Sequence, residues 1–265
     1  MLKLLGIPYD ANSSYLRGSA LAPNFIRLMD EEGSANRFCE QGNEIIEGIN
    51  YKDCGDLEFT QIDAAFAYRK IRETITETIE DGSKLISLGG DHSISFPVIE
   101  SFSEKYKNLN VLHLDAHADL YDNFENNPYS HASPFARLME KNTINSLTQV
   151  GIRTFNTHQK EQAKKFRVKV VEMKDFSLDF INSLQEPLYI SLDIDVLDPA
   201  FAPGISHHEP GGMSTRQLIN IIHQIKVPIV GADIVELNPK RDVNNMTAMV
   251  AYKLFKELAS KMIDK

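Results

Sequence analysis

The sequence predicts an α/β protein built on a mostly parallel, doubly wound sheet with helices on both faces, and three observations lead there. Short runs rich in Val, Ile and Leu, at 84–88, 111–114, 188–194 and 229–235, are apolar almost throughout, as in strands buried on both sides. Stretches of helical period separate the runs and are long enough for right-handed crossovers. Polar, chemistry-bearing residues cluster where several runs end, and open α/β sheets place their sites there.

Taken in order, residues 2–7 form the first predicted strand, followed by Pro8-Tyr9-Asp10 and a polar loop at 12–18 with turn-forming Asn and Gly. Pro23 suits a first helical turn, with Phe25, Ile26 and Leu28 as the apolar side. Residues 31–55 are rich in Gly and Asn and read as an irregular excursion, with weak strand character at Ile45 and Ile46. Ile62, Ala65, Phe66, Ile71, Ile75 and Ile79 recur at helical intervals until Asp81-Gly82 stops them. The run at 84–88 delivers His92 into a loop through Gly89-Gly90, where two glycines permit close backbone approach. A helix follows, with Pro97 in its first turn and Phe96, Ile99 and Phe102 on one side.

After the run at 111–114, residues 121–134 are Asn-rich, carry Pro128 and Pro134, and have no period, which marks a candidate substrate loop. Helix, strand, helix and strand are predicted at 135–140, 147–150, 157–165 and 168–171. The strand at 188–194, helix at 214–224, strand at 229–235 and helix at 244–262 complete the chain. With no internal repeat, low-complexity run or linker, residues 1–265 read as one domain.

Composition narrows the function classes. A net charge of -9 and a pI near 5.4 exclude the basic stripe of a general nucleic-acid binder and favour a cationic small substrate. No apolar run approaches the roughly 18 residues that span a bilayer, and the N-terminus lacks the apolar core of a signal peptide, so a cytoplasmic protein without membrane contact is expected. Cys39 and Cys54 have no metal-binding or disulfide spacing and are expected to be inert thiols.

The stretch Leu112-His113-Leu114-Asp115-Ala116-His117-Ala118-Asp119-Leu120 carries the chemistry. In an extended chain, Asp115, His117 and Asp119 at i, i+2 and i+4 face one point. On its own that pattern also describes a solvated turn. Two further strand ends bring His92 in G-G-D-H-S and Asp193 with Asp195 in S-L-D-I-D-V-L-D-P. Two like charges on one face of an apolar strand need cations or protons beside them. The alternatives are turn carboxylates capping Asp198-Pro199 and a calcium loop, and for the latter Leu197 and Asp198 stand where Asp or Asn and then Gly belong. Carboxylates and imidazoles without thiolate suit manganese, and two ions use these ligands better than one. Such a pair lowers the pKa of water towards neutrality.

The motifs G-G-D-H-S at 89–93, D-A-H-A-D at 115–119 and S-L-D-I-D-V-L-D-P-A-F-A-P-G at 191–204 resemble, in this order, the signatures of the arginase/agmatinase family, the ureohydrolases. G-I-P-Y-D at 6–10, A-P-x-x-I-R at 22–27, E-P-G-G at 209–212 and V-E-L-N-P at 235–239 extend the likeness over practically the whole chain. The resemblance implies a three-layer α/β/α fold, two Mn²⁺ per chain and hydrolysis of a guanidinium to urea and an amine. It places one ion on His92, Asp115, Asp119 and Asp193 and the other on Asp115, His117, Asp193 and Asp195. By the same resemblance Glu236 pairs with the guanidinium and His131 shuttles protons, and the chemistry asks Asp119 to hydrogen-bond the attacking hydroxide and take its proton. The resemblance further implies a homo-oligomer, trimeric or hexameric.

The loop D-L-Y-D…Y-S-H-A-S at 119–133 resembles agmatinases more than arginases, so hydrolysis of agmatine to putrescine and urea is expected, with Asp122 and Glu125 as the acidic groups nearest the pocket mouth. Arginine, guanidinobutyrate and formimidoylglutamate are the alternative substrates. Ile205-Ser206-His207-His208 stands where the family commonly has T-G-T-P, and His207-His208 reads equally as pocket lining or as a polar turn. A non-catalytic metal-binding protein is the alternative of another class, against which Glu236 and His131 argue because metal binding alone does not need them. A single-zinc deacetylase of the same fold fits these ligands less well.

Overall fold

The computed structural model describes residues 1–33 and 35–263, so Ser34 of the excursion and the last two residues of the expected domain lie outside the described residues. Eight strands form one all-parallel sheet: β1 Leu2–Ile7, β2 Tyr51–Asp56, β3 Lys84–Gly89, β4 Asn110–Leu114, β5 Ser146–Ile152, β6 Lys169–Glu172, β7 Leu188–Asp193 and β8 Ile229–Val235. Their order is β2-β1-β3-β8-β7-β4-β5-β6. The helices are α1 Ala22–Glu31, α2 Ala64–Ile79, α3 Ser95–Lys105, α4 Pro134–Lys141, α5 Thr157–Phe166, α6 Thr215–Gln224 and α7 Met246–Met262.

Period-2 alternation of the buried strands divides the core in two. On one face Leu2, Leu4, Ile86, Leu112 and Ile190 pack with Ile26 of α1, Leu218 of α6 and Leu254 of α7. On the other Leu5, Leu85, Val111, Leu147 and Tyr189 pack with Ile75 of α2, Phe102 of α3, Phe135 of α4 and Ala163 of α5. The result is the three-layer α/β/α architecture. Crossovers that advance along the sheet towards β6 use the second face and those that return use the first, as a constant right-handed βαβ sense requires. Truncating one fully buried anchor, such as Ile75, to Ala costs about 2–5 kcal/mol.

Local signals explain most helix ends. Asp63 caps α2 by accepting from the Phe66 amide, Asn156 caps α5, and Ser214 with Gln217 forms a capping box on α6. Ile62, expected on the apolar side of α2, precedes that cap and is exposed. The excursion contains a strand that its composition conceals. Tyr51-Lys52-Asp53-Cys54-Gly55-Asp56 pairs as an edge strand with β1, and its exposed positions carry the charge that suits an edge.

The four central strands, β3, β8, β7 and β4, are neighbours, and their carboxyl ends open side by side. That adjacency positions the site.

Candidate metal centre

His92 lies in the turn after β3, Asp115 directly after β4, Asp193 at the last position of β7 and Glu236 directly after β8. Gly90 makes the His92 turn possible, because a Cβ there would stand 1.9 Å from the Tyr9 carbonyl oxygen. The Gly90 carbonyl in turn receives the Glu236 amide at 2.9 Å.

The six expected ligands come together. His92 Nδ1 faces Asp115 Oδ2 at 3.1 Å, Asp119 Oδ2 at 3.0 Å and Asp193 Oδ2 at 3.2 Å. His117 Nδ1 lies 3.4 Å from Asp115 Oδ1 and 2.8 Å from Asp195 Oδ2. Asp115 therefore turns one oxygen to each imidazole and joins two groups of donors. The convergence does not arise as an extended chain would produce it. Asp119 has φ 48, in the left-handed region, which swings its carboxylate back towards His92. Likewise β7 stops at Asp193, and a 3-10 turn at Ile194–Val196 presents Asp195, whose amide donates to Asp193 Oδ1 at 2.7 Å.

Hydrogen bonding shows what the cluster lacks. The Ser191 hydroxyl donates to Asp233 Oδ1 at 2.7 Å, so Ser191 Oγ is left to accept the N–H of His92 Nε2 at 3.0 Å. His92 Nδ1, buried and without a hydrogen-bond partner among the described residues, then aims at three carboxylate oxygens. A lone pair facing carboxylates is repulsive unless a proton or a metal cation lies between them. Burial pushes the Asp193 carboxyl well above the usual range, helped by Asp195 and Asp115, and pushes Asp195 up to about 6. Hard oxygen donors with two imidazole nitrogens and this deficit of positive charge fit divalent cations.

Sequence reasoning passed over His113. Gln149 Nε2 donates to its Nδ1 at 3.0 Å, which leaves Nε2–H for Asp115 Oδ2 at 2.7 Å. Burial lowers its pKa, so a neutral ring holds Asp115 in place. Its i−2 spacing from Asp115 was the signal available. Ser191 plays the same part for His92 and is itself held by Asp233, which also accepts from Tyr189 at 2.8 Å.

Beside the cluster is a cavity of about 160 Å³ whose wall includes Asp119, His131, Glu236, His117, Tyr121 and Phe124. Glu236 has φ 66, a second left-handed non-glycine residue at the site; such backbone costs about 1–3 kcal/mol and persists where its surroundings enforce it. Its Oε1 receives the His92 amide at 2.9 Å and lies 2.7 Å from His131 Nδ1. Burial works against its charge, but the facing His131 together with His92 and its amide outweighs burial and holds Glu236 below its usual pKa as a carboxylate.

His131, expected as a loop histidine, is buried and held on both sides, with Nε2 2.8 Å from the Ser14 hydroxyl oxygen. Burial opposes its charge, while Glu236, Asp91 and Asp119 prevail and push its pKa up to about 9. Asp91, raised to about 6 by burial, anchors the Ser14 loop by accepting from the Asn12 amide and the Ser13 hydroxyl. His207 lines the cavity, whereas His208 is exposed. Asp122 and Glu125 are exposed and do not line it; the same loop contributes Tyr121 and Phe124 instead, and Asp122 sits 3.2 Å from His158.

Comparison with known proteins agrees with this geometry. Arginase 1, mitochondrial, from Arabidopsis thaliana is 47% identical over 98% of this chain and 80% of that one. An agmatinase from Bacillus anthracis is 30% identical over 96% of this chain and 89% of its own. The solved arginase from Medicago truncatula superposes with a TM-score of 0.94 at 42% identity, covering 99% of this chain and 87% of that one. The Arginase family model matches residues 2–260, and the chain belongs to the arginase family.

Proposed function

We propose that this chain hydrolyses the guanidinium of arginine to urea and ornithine at a two-ion centre. The observation that carries the two-ion reading is Asp115, whose two oxygens face His92 and His117 separately. His92, Asp115, Asp119 and Asp193 would hold one ion and Asp115, His117, Asp193 and Asp195 the other, with Mn²⁺ the ion that suits these donors. Bound there, the ions supply the positive charge and Lewis acidity that bring the pKa of water towards neutrality.

The chain's own groups do the rest. Glu236, ionised and at the cavity wall, pairs with the planar guanidinium and orients it. Asp119, at the cavity wall, accepts the proton of the attacking water. His131 holds a proton beside Glu236, where the amine departs, and an amine leaves only when protonated.

Arginine is preferred to the agmatine expected from the 119–133 loop because plant relatives named arginase are 43–47% identical, against 30% for Bacillus relatives named agmatinase. Agmatine is the second reading, favoured by one observation: among the described residues no Lys or Arg lines the cavity to meet a substrate carboxylate. Urea release by the manganese-loaded protein from arginine, agmatine, guanidinobutyrate and, as formamide, formimidoylglutamate ranks them. Release from arginine at least about tenfold faster, by kcat/KM, supports the first reading, and the reverse order the second. Activity on none of them removes the proposal.

A further inference from the structure

We propose that His207 is a substrate-contacting residue that accepts a guanidino N–H at Nε2 and so helps decide which compounds bind; this rests on the guanidino-hydrolase reading above. The ring lines the cavity with Glu236, His131 and His117. Its centroid is 5.5 Å from that of His131 and 5.8 Å from that of His117. Nε2 is buried and has no hydrogen-bond partner among the described residues. A buried polar atom left that way is destabilising, so a partner from outside the chain is called for.

The ring is also fixed in place. Ser206 donates to the Leu16 carbonyl at 3.1 Å and receives Asn238 Nδ2 at 2.9 Å. On the same side Ile205 pairs with Leu237, and on the other Arg153 Nε donates to the Glu209 carbonyl at 2.8 Å. Tyr15 rests against the His207 ring at 5.4 Å between centroids. His208 offers a contrast, since its Nε2 meets the Pro203 carbonyl at 2.9 Å and its Nδ1 meets Arg241 at 3.2 Å. Among the described residues it is the first histidine of the pair, the one whose ring lines the cavity, that keeps a buried nitrogen without a partner.

Substrate chemistry supplies the match. A guanidinium carries N–H donors on every edge, and Glu236 Oε1 already receives the His92 amide and faces His131. An N–H turned away from Glu236 needs another acceptor. An imidazole nitrogen provides one without adding a further negative charge beside Asp119, Asp193 and Asp195. The contact lies in the segment that departs from the family's common pattern, where a change of selectivity is most easily built.

The test compares wild type with His207→Phe, which keeps a ring against Tyr15 and removes the acceptor, and with His207→Gln, which keeps an acceptor. For manganese-loaded protein and arginine, the phenylalanine variant is expected to raise KM by about tenfold, equivalent to about 1.4 kcal/mol, with kcat changed far less. Glutamine restores most of the loss. Calorimetric binding of guanidinium chloride weakens in parallel with KM, while inhibition by ornithine, which lacks the guanidino group, is the same for all three proteins. An unchanged KM and guanidinium affinity in His207→Phe overturns the role, as does an equal loss of ornithine binding, which marks general damage to the pocket. Should wild type turn over no guanidino compound, the proposed function fails by itself, and the guanidinium calorimetry still decides His207.

Discussion

Asp193→Asn separates metal binding from folding, because the two respond in opposite senses. In the wild type a divalent ion at about one hundred times its dissociation constant stabilises the fold by about 2.7 kcal/mol. For 265 residues the unfolding entropy is about 0.56 kcal/mol/K, so that stabilisation raises Tm by about 5 °C. Loss of the Asp193 carboxylate weakens affinity by at least about 10–100-fold, which leaves at most about 1.4 kcal/mol and 2.5 °C at the same ion concentration. In the metal-free protein the substitution is expected to be neutral or stabilising. Asparagine keeps the size and an oxygen for the Asp195 amide, at 2.7 Å here, and removes a buried carboxyl whose ionisation burial, Asp195 and Asp115 all oppose. Differential scanning calorimetry of both proteins with EDTA and with manganese reads these shifts. A metal-free variant several degrees less stable than wild type, or one that keeps the full manganese shift, would refute the reasoning.

Glu236→Gln should lower kcat/KM for arginine and agmatine alike by about 100-fold, the order of a lost charge-assisted pair, while the manganese-induced Tm shift stays; a change confined to one substrate would show that Glu236 does not bind the shared group. His131→Ala should lose activity by about 100-fold or more and keep its metal, with imidazole restoring part of the rate, and unaltered kinetics across pH would leave the ring without a role. The Glu257 carboxyl is raised by burial but lowered overall by hydrogen bonds from Lys253, His223 and the Glu40 amide. Since the folded pKa is the lower one, its contribution is present above the unfolded value of about 4.3 and is lost as pH falls through the folded value. Acid titrations of Tm for wild type and Glu257→Gln check this: the variant should be less stable near neutrality and the two curves should converge at low pH.

The sheet was legible because strands buried on both faces have little choice but Val, Ile and Leu, as in β7 and β8. Edge strand β2 was not, since one exposed side relaxes that demand and admits Lys52, Asp53 and Asp56. The six candidate ligands stand out because three short motifs carry them, but the route of their convergence does not. Asp119 depends on a left-handed backbone that neighbours impose, and Asp195 on a 3-10 turn past the end of its strand. His113, Ser191 and Asp233 sit inside apolar strands, where sequence alone does not distinguish a support for a ligand from a core polar residue. Asp122 and Glu125 were placed at the mouth by proximity in sequence, and the loop's turns send Tyr121 and Phe124 there instead.

The central claim is hydrolysis of a guanidino group at a site of two ions sharing Asp115. Titrating metal-free protein with Mn²⁺ while recording bound metal and urea release from arginine tests it most directly. The account predicts that the rate reaches its plateau at two ions per chain. Full activity at one ion per chain, or urea release independent of metal, would contradict it.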